Sequence, residues 1–118
     1  KEIVIDGDGT DRLDFTYISD FTDGVIRVIE NGNSKNEIFN MTYGDSRTIA
    51  ELAGLLENNF DGIRINYQAK DKFTPDRGTL SVDKAKQLIG YQPSYPIEIG
   101  YQKYIEWYKR FWKELGRS

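Results

Sequence analysis

Three aspartates, two glycines and an arginine crowd into residues 6–12 (Asp6, Gly7, Asp8, Gly9, Asp11 and Arg12), and a second loop arginine, Arg77, stands in the polar stretch 70–78. A guanidinium on a loop suits bidentate binding of phosphate or carboxylate, although a solvated or locally paired arginine is the plainer reading. The aspartate spacing looks like a calcium loop, but no glutamate closes it, and turn aspartates bonding nearby backbone N–H groups are the simpler explanation. Gly7-x-Gly9 is not a dinucleotide fingerprint. Arg12 stands where the third glycine is needed, and no long helix opens directly from the loop. No Walker sequence occurs, and nothing in the carboxylate spacing selects an acid/base pair.

The rest of the composition narrows the chemistry further. Among 118 residues there are no histidines and no cysteines, which removes His-containing triads, the commonest zinc ligands, thiol chemistry and disulfides. The net charge of -3, with scattered basic residues, gives no footprint for nucleic acid. Lys109, Arg110, Lys113 and Arg117 cluster late in the chain, where cations favour the negative end of a helix. No apolar run reaches the length of a membrane span and no signal-peptide pattern opens the chain, so a cytoplasmic protein is expected. Aromatic residues make up 14%, suited either to an ordinary core or to the mouth of a sugar or nucleotide pocket. The start at Lys1, without methionine, suggests a piece of a longer protein.

The elements that must position these residues alternate in type. Ile3–Ile5 reads as a short buried strand, and Asp14–Ile18 as a second strand or a straight entry into a helix. Ser19–Glu30 has helical spacing at Phe21, Val25, Val28 and Ile29, with Ser19 or Asp20 as its cap and Asn31-Gly32 as its stop. Glu37–Tyr43 reads as a strand buried on both faces, as in a parallel sheet. Thr48 to Glu51 forms a capping box ahead of a helix carrying Leu52, Leu55, Leu56 and Phe60. Ile63, Ile65 and Tyr67 alternate with polar residues in a strand with one wet face. Ser81 caps a short helix that Gly90 stops, and a long helix begins near Pro96 with Ile97, Tyr101, Tyr104, Tyr108, Phe111 and Leu115 as its apolar stripe. The expected fold is a single small α/β or α+β unit with about four helices and exposed sheet edges.

Taken in order, GDGTDRLDFTYISDFTDGVIRVIE (Gly7–Glu30), EIFNMTYGDSRTIAELAGLL (Glu37–Leu56), DRGTLSVDKAKQLIGYQP (Asp76–Pro93) and GYQKYIEWYK (Gly100–Lys109) resemble the C-terminal part of the NAD-dependent epimerase/dehydratase family. These are extended short-chain dehydrogenases acting on nucleotide sugars, such as UDP-glucose 4-epimerase. The resemblance implies that residues 1–118 are a substrate-binding portion, with the Rossmann core, its NAD(P) and the catalytic Tyr-x-x-x-Lys in an N-terminal domain missing from this chain. No catalytic residue, cofactor or metal is then expected here, and the chain alone should be inactive. The implied role is to hold the nucleoside diphosphate of a UDP-sugar while the sugar is oxidised and re-reduced, or dehydrated. A non-catalytic nucleotide-sugar or protein-interaction module of the same fold is the alternative.

Carried over by position, Arg77 matches an arginine that pairs with the pyrophosphate in the family. Arg12 lies one residue before the usual place of a second, which Leu13 occupies. Asp6 stands where relatives place an aromatic residue beside the nucleobase, and Val4 and Ile5 flank it. Asp14, Phe15, Thr16 and Tyr17 are expected to be structural. Phe21, Val25, Ile38 and Phe39 should be exposed, or covered by a second copy, giving a homodimer or other self-association.

Overall fold

A computed structural model describes residues 1–116. Among these residues, two small strand pairs, four α-helices and one short 3-10 turn (Gly32–Ser34) make up the fold. The apolar run after Lys1 forms β1 (Glu2–Asp6), and the alternating Ile65/Tyr67 segment forms β4 (Arg64–Gln68). They pair in parallel, from Glu2 opposite Arg64 to Asp6 opposite Gln68. A second pair, β2 (Arg12–Leu13) and β3 (Arg47–Thr48), is antiparallel and only two residues long. This second strand therefore precedes the expected Asp14–Ile18 segment, which runs straight into α1 (Ile18–Glu30).

The capping box at Thr48 is present in full. Thr48 Oγ1 accepts the Glu51 N–H at 3.1 Å, and the Glu51 carboxylate accepts the Thr48 N–H at 2.6 Å. These bonds satisfy N–H groups that open α2 (Ile49–Glu57). The helix stops before Phe60, whose ring instead lies under the Lys109 ammonium, 4.7 Å from its centre. The short α3 (Asp83–Ile89) has Val82 rather than the expected Ser81 at its cap position, although Ser81 Oγ accepts the Asp83 N–H, and it ends at Gly90 with φ 66°. The long α4 (Ile97–Glu114) starts after Pro96, as its sequence predicts.

The core is centred on α3 and the residue pair beyond it. Val82, Ala85, Ile89 and Tyr91 are buried together, with Val28, Phe39, Met41 and Leu88 packed against them. The Tyr91 hydroxyl donates to the Thr42 carbonyl at 2.9 Å, so its one polar atom is satisfied inside the core. Burial raises its pKa to about 12, with Asp20 and Asp14 adding to the effect.

Three sequence expectations are corrected here. Glu37–Tyr43 is irregular chain rather than a strand, because among the described residues no strand pairs with it. Its polar groups are met by side chains instead: Asp14 accepts the Thr42 hydroxyl, and the Asn40 amide donates to the Ser81 carbonyl. Asp20 and Ser19 do not cap α1, whose cap position is Tyr17. Buried Asp20 accepts the Ser94 and Tyr95 N–H groups, each at 2.9 Å, and so fastens the entry of α4. The inner face of α4 is formed by Gly100 and Ile105, with Tyr101 half-buried, whereas Tyr104, Tyr108, Phe111 and Leu115 are exposed. Arg117, the last of the C-terminal basic cluster, lies outside the described residues.

The chain is flat, with extents of 50 × 42 × 19 Å and a radius of gyration of 17.2 Å. A globular domain of this length has a radius of about 13.5 Å. Its accessible surface of 8506 Å² likewise exceeds the roughly 6,600 Å² expected for a compact monomer of this mass. Ile18, Phe21, Ile29 and Ile38 are among the large apolar side chains left exposed. Val25 and Phe39 are half-buried, Phe39 against the core.

Candidate functional site: a cleft beside the glycine turn

The turn between β1 and β2 is set by backbone that only glycine takes readily. Gly7 and Gly9 have φ of 85° and 81°, and a Cβ on Gly9 would stand 3.0 Å from both Ala50 Cβ and the Tyr67 ring. The close approach lets the Gly9 and Asp11 carbonyls accept the Ala50 and Ile49 N–H groups, both at 2.9 Å. Those N–H groups belong to the first turn of α2, so that helix start is filled by the turn itself. The glycines thus dock a loop onto a helix. They do not open a helix toward a phosphate, and the residues here do not fit a dinucleotide cofactor.

The aspartates of the turn face different ways. Asp8 accepts both the N–H and the hydroxyl of Thr10, which together lower its pKa, as in an ordinary Asx turn. The Asp6 carboxylate accepts the Gln68 amide, and Asp11 is held by the Lys70 ammonium at 2.6 Å. Among the described residues, no group of three metal-ligating side chains converges.

Beside this turn lies a cleft of about 380 Å³, bounded by β1, β2 and the polar 70–78 loop. Val4, Ile5, Asp6 and Arg12, close together in sequence, line it together with the distant Arg77, as do Asp11 and Leu13. The two arginines differ sharply. Arg12 donates from Nε to Ser46 Oγ at 3.0 Å and from Nη2 to the Ser46 carbonyl at 2.5 Å. Ser46 is buried and also accepts the Thr79 hydroxyl, so Arg12 is fixed in a small network joining β2 to the segments at 46 and 79. Arg77 is exposed and, among the described residues, has neither a hydrogen bond nor an ion pair.

Asp14, next to Leu13 of the cleft lining, ties together three segments distant in sequence. Its carboxylate accepts the Gly44 N–H, the Thr42 hydroxyl and the Leu80 N–H at 2.8–3.1 Å, fixing the segment before α1. Sequence reasoning missed Ser46, Thr79 and Lys70. Their long-range partners lie 33 to 59 residues away, which no local pattern signals, although Lys70 also meets Asp76 six residues on.

A second concavity of about 330 Å³ lies between the Phe15–Ile18 segment and α4, and is lined by Phe15, Tyr17, Leu52, Tyr95, Tyr101 and Tyr104 among others. It is apolar, with the Tyr17 and Tyr95 rings 4.9 Å apart.

No protein-family model matches the chain. An uncharacterized protein of Methanocaldococcus jannaschii is 32% identical over 114 residues, which are 92% of this chain and 33% of the relative. The UDP-glucose 4-epimerase of Thermotoga maritima, solved with UDP-glucose, superposes with a TM-score of 0.84 at 27% identity over 94% of this chain and 36% of that one. The UDP-glucuronic acid 4-epimerase of Bacillus cereus, solved with UDP-glucuronic acid and NAD, gives 0.83 at 26% identity over 94% and 36%. Across these matches the chain spans about a third of the length of its relatives. Its homologues and structural neighbours include proteins named as UDP-glucose epimerase, UDP-glucuronic acid decarboxylase and UDP-sugar 4-epimerases, and the chain corresponds to the C-terminal part of their fold.

Proposed function

We propose that this chain is the substrate-binding part of an NAD-dependent nucleotide-sugar epimerase or dehydratase. It holds the nucleoside diphosphate of a UDP-sugar in the cleft beside the glycine turn. The observation that carries the reading is Arg77, a guanidinium without a protein partner among the described residues, in a cleft that β1 and Arg12 also line. A planar cation with all its donors open is suited to a diphosphate. Arg12 contributes charge and its remaining donors from a fixed position. Val4 and Ile5 offer apolar contact for the base, and Asp6 lies beside them.

Oxidation and re-reduction of the sugar belong to an N-terminal domain that binds NAD(P), because this chain has neither a dinucleotide turn nor a Tyr-x-x-x-Lys sequence. The chain by itself is inactive, and NAD-dependent epimerase turnover by these 118 residues would contradict that. The complete enzyme works in the cytoplasm, and no helix among the described residues is long and apolar enough to cross a membrane. The flat shape and exposed Phe21 and Ile38 support coverage of this face by a second copy, and a strictly monomeric species in concentrated light scattering would oppose it.

Thermal unfolding with UDP, UDP-glucose and uridine tests the reading. At about 100 times its dissociation constant a ligand adds about 2.7 kcal/mol to stability. UDP and UDP-glucose should raise the midpoint well above the effect of uridine, which lacks the phosphates. Equal shifts for all three, or none, would overturn the diphosphate assignment.

A further inference from the structure

The loop that presents Arg77 is tied at its neck. Lys70 Nζ reaches Asp76 Oδ1 at 2.9 Å and Asp11 Oδ1 at 2.6 Å. The first contact joins the two ends of the 70–76 segment, and the second fastens that closed loop to the glycine turn. Within the loop, Asp71 accepts the Phe73 N–H through its side chain and the Thr74 N–H through its carbonyl. The Lys70 stem also lies across the turn: a Cβ on Gly7 would sit 3.5 to 3.8 Å from its Cβ, Cγ and Cδ. Lys70 is therefore packed along its length and bonded at its tip. Both contacts hold its pKa above the usual lysine range, Asp11 first and Asp76 second. Arg77 follows Asp76 directly and lines the cleft, while Lys70 lies outside that lining.

We infer that Lys70 is a positioning residue: through Asp11 and Asp76 it latches the 70–76 loop to the glycine turn and so aims Arg77 at the diphosphate of a nucleotide ligand. This rests on the cleft being the diphosphate site. Without the latch, Arg77 sits on a loop with a single internal turn to order it, and binding must bear the cost of ordering that loop. Lys70 lies outside the cleft lining and gives two of its three donors to carboxylates, which sets it apart from a direct phosphate ligand.

The test uses the purified protein, UDP as probe, and the variants Lys70→Met, Lys70→Arg, Asp76→Asn and Arg77→Met. Order parameters of residues 71–77 in free Lys70→Met should fall toward the flexible range, below about 0.6. Its affinity for UDP should drop about tenfold, within the range for residues coupled in one network. Lys70→Arg should recover most of that loss, and Asp76→Asn should lose part of it. In an Arg77→Met background, Lys70→Met should cost nothing further. A further loss in that background would make Lys70 a direct ligand and overturn the positioning role. Unchanged order at 71–77 would overturn the latch. Failure of the unaltered protein to bind UDP would instead overturn the ligand reading, and the order parameters would still judge the latch.

Discussion

Two concave surfaces of similar size lie on this chain, and they are built from opposite chemistry. The cleft beside the glycine turn is lined by two arginines and by Asp6 and Asp11, whose carboxylates are taken up by Gln68 and Lys70, and it is held in shape by ion pairs and hydrogen bonds between distant loops. The groove between the Phe15–Ile18 segment and α4 is lined by tyrosines and aliphatic side chains, and it merges with the exposed rings of Trp107 and Phe111 along the helix. An apolar groove is suited to another apolar surface, and its shape follows from packing alone. A cleft for a dianionic ligand needs cations held apart from neutralising carboxylates. Arg77 has that freedom, whereas Arg12 and Lys70 are engaged by protein groups. Among the described residues, charge left without a partner, rather than cavity shape, separates the proposed ligand site from the apolar groove.

The strongest way to break the polar cleft is to disturb its turn. Gly9→Val places a branched side chain at φ 81° and against Ala50 and Tyr67. Left-handed backbone and overpacking together should cost about 2–5 kcal/mol, read from urea unfolding, with UDP binding lost as well. Arg77→Met should separate function from stability. Losing a charged hydrogen bond is worth roughly 1.5–3 kcal/mol, so UDP affinity should fall about tenfold to hundredfold while the thermal midpoint stays in place. Thr48→Ala removes the cap on the helix that carries the turn and should cost about 1 kcal/mol in stability. Tyr104→Ala, on the aromatic groove, should leave UDP affinity within about twofold of the unaltered protein, since scattered surface changes rarely exceed about 0.5 kcal/mol.

The pH dependence of stability has a sign on each limb. Glu51 is held below its ordinary range chiefly by the Thr48 N–H, and Asp76 by Lys70. Their folded values lie below their unfolded ones, so the unfolded chain takes up protons first as pH falls. Their contribution is present above the ordinary carboxylate range and is lost on acidification through it. Tyr91 behaves oppositely. Its stabilising effect is whole below pH 10 and disappears as pH rises from 10.0 toward about 12. Urea midpoints measured across pH should show both limbs, and Tyr91→Phe should flatten the alkaline one.

Much of this was legible in sequence wherever the signal is local. The Thr48–Glu51 box, the alternation at Ile65 and Tyr67, the Gly90 stop and the Pro96 start depend on neighbours a few residues apart, and each marks an element found in the fold. Glu37–Tyr43 failed because a strand needs a partner, and composition cannot show that none is adjacent. The exposed side of α4 was misjudged because aromatic spacing identifies a stripe without saying what covers it. In the cleft, residue types pointed to Arg12 and Arg77. Only the fold shows that Ser46 engages the first and that a lysine beside the second ties its loop down.

The most direct measurement is a heteronuclear NMR titration of the protein with UDP, following the backbone and the arginine Nε–H signals. The diphosphate assignment predicts that the largest changes fall on Val4 to Asp6, the glycine turn and Arg77 Nε–H, with little change at Tyr17, Tyr95 or Tyr104. Changes confined to the aromatic groove, with Arg77 unmoved, would contradict it.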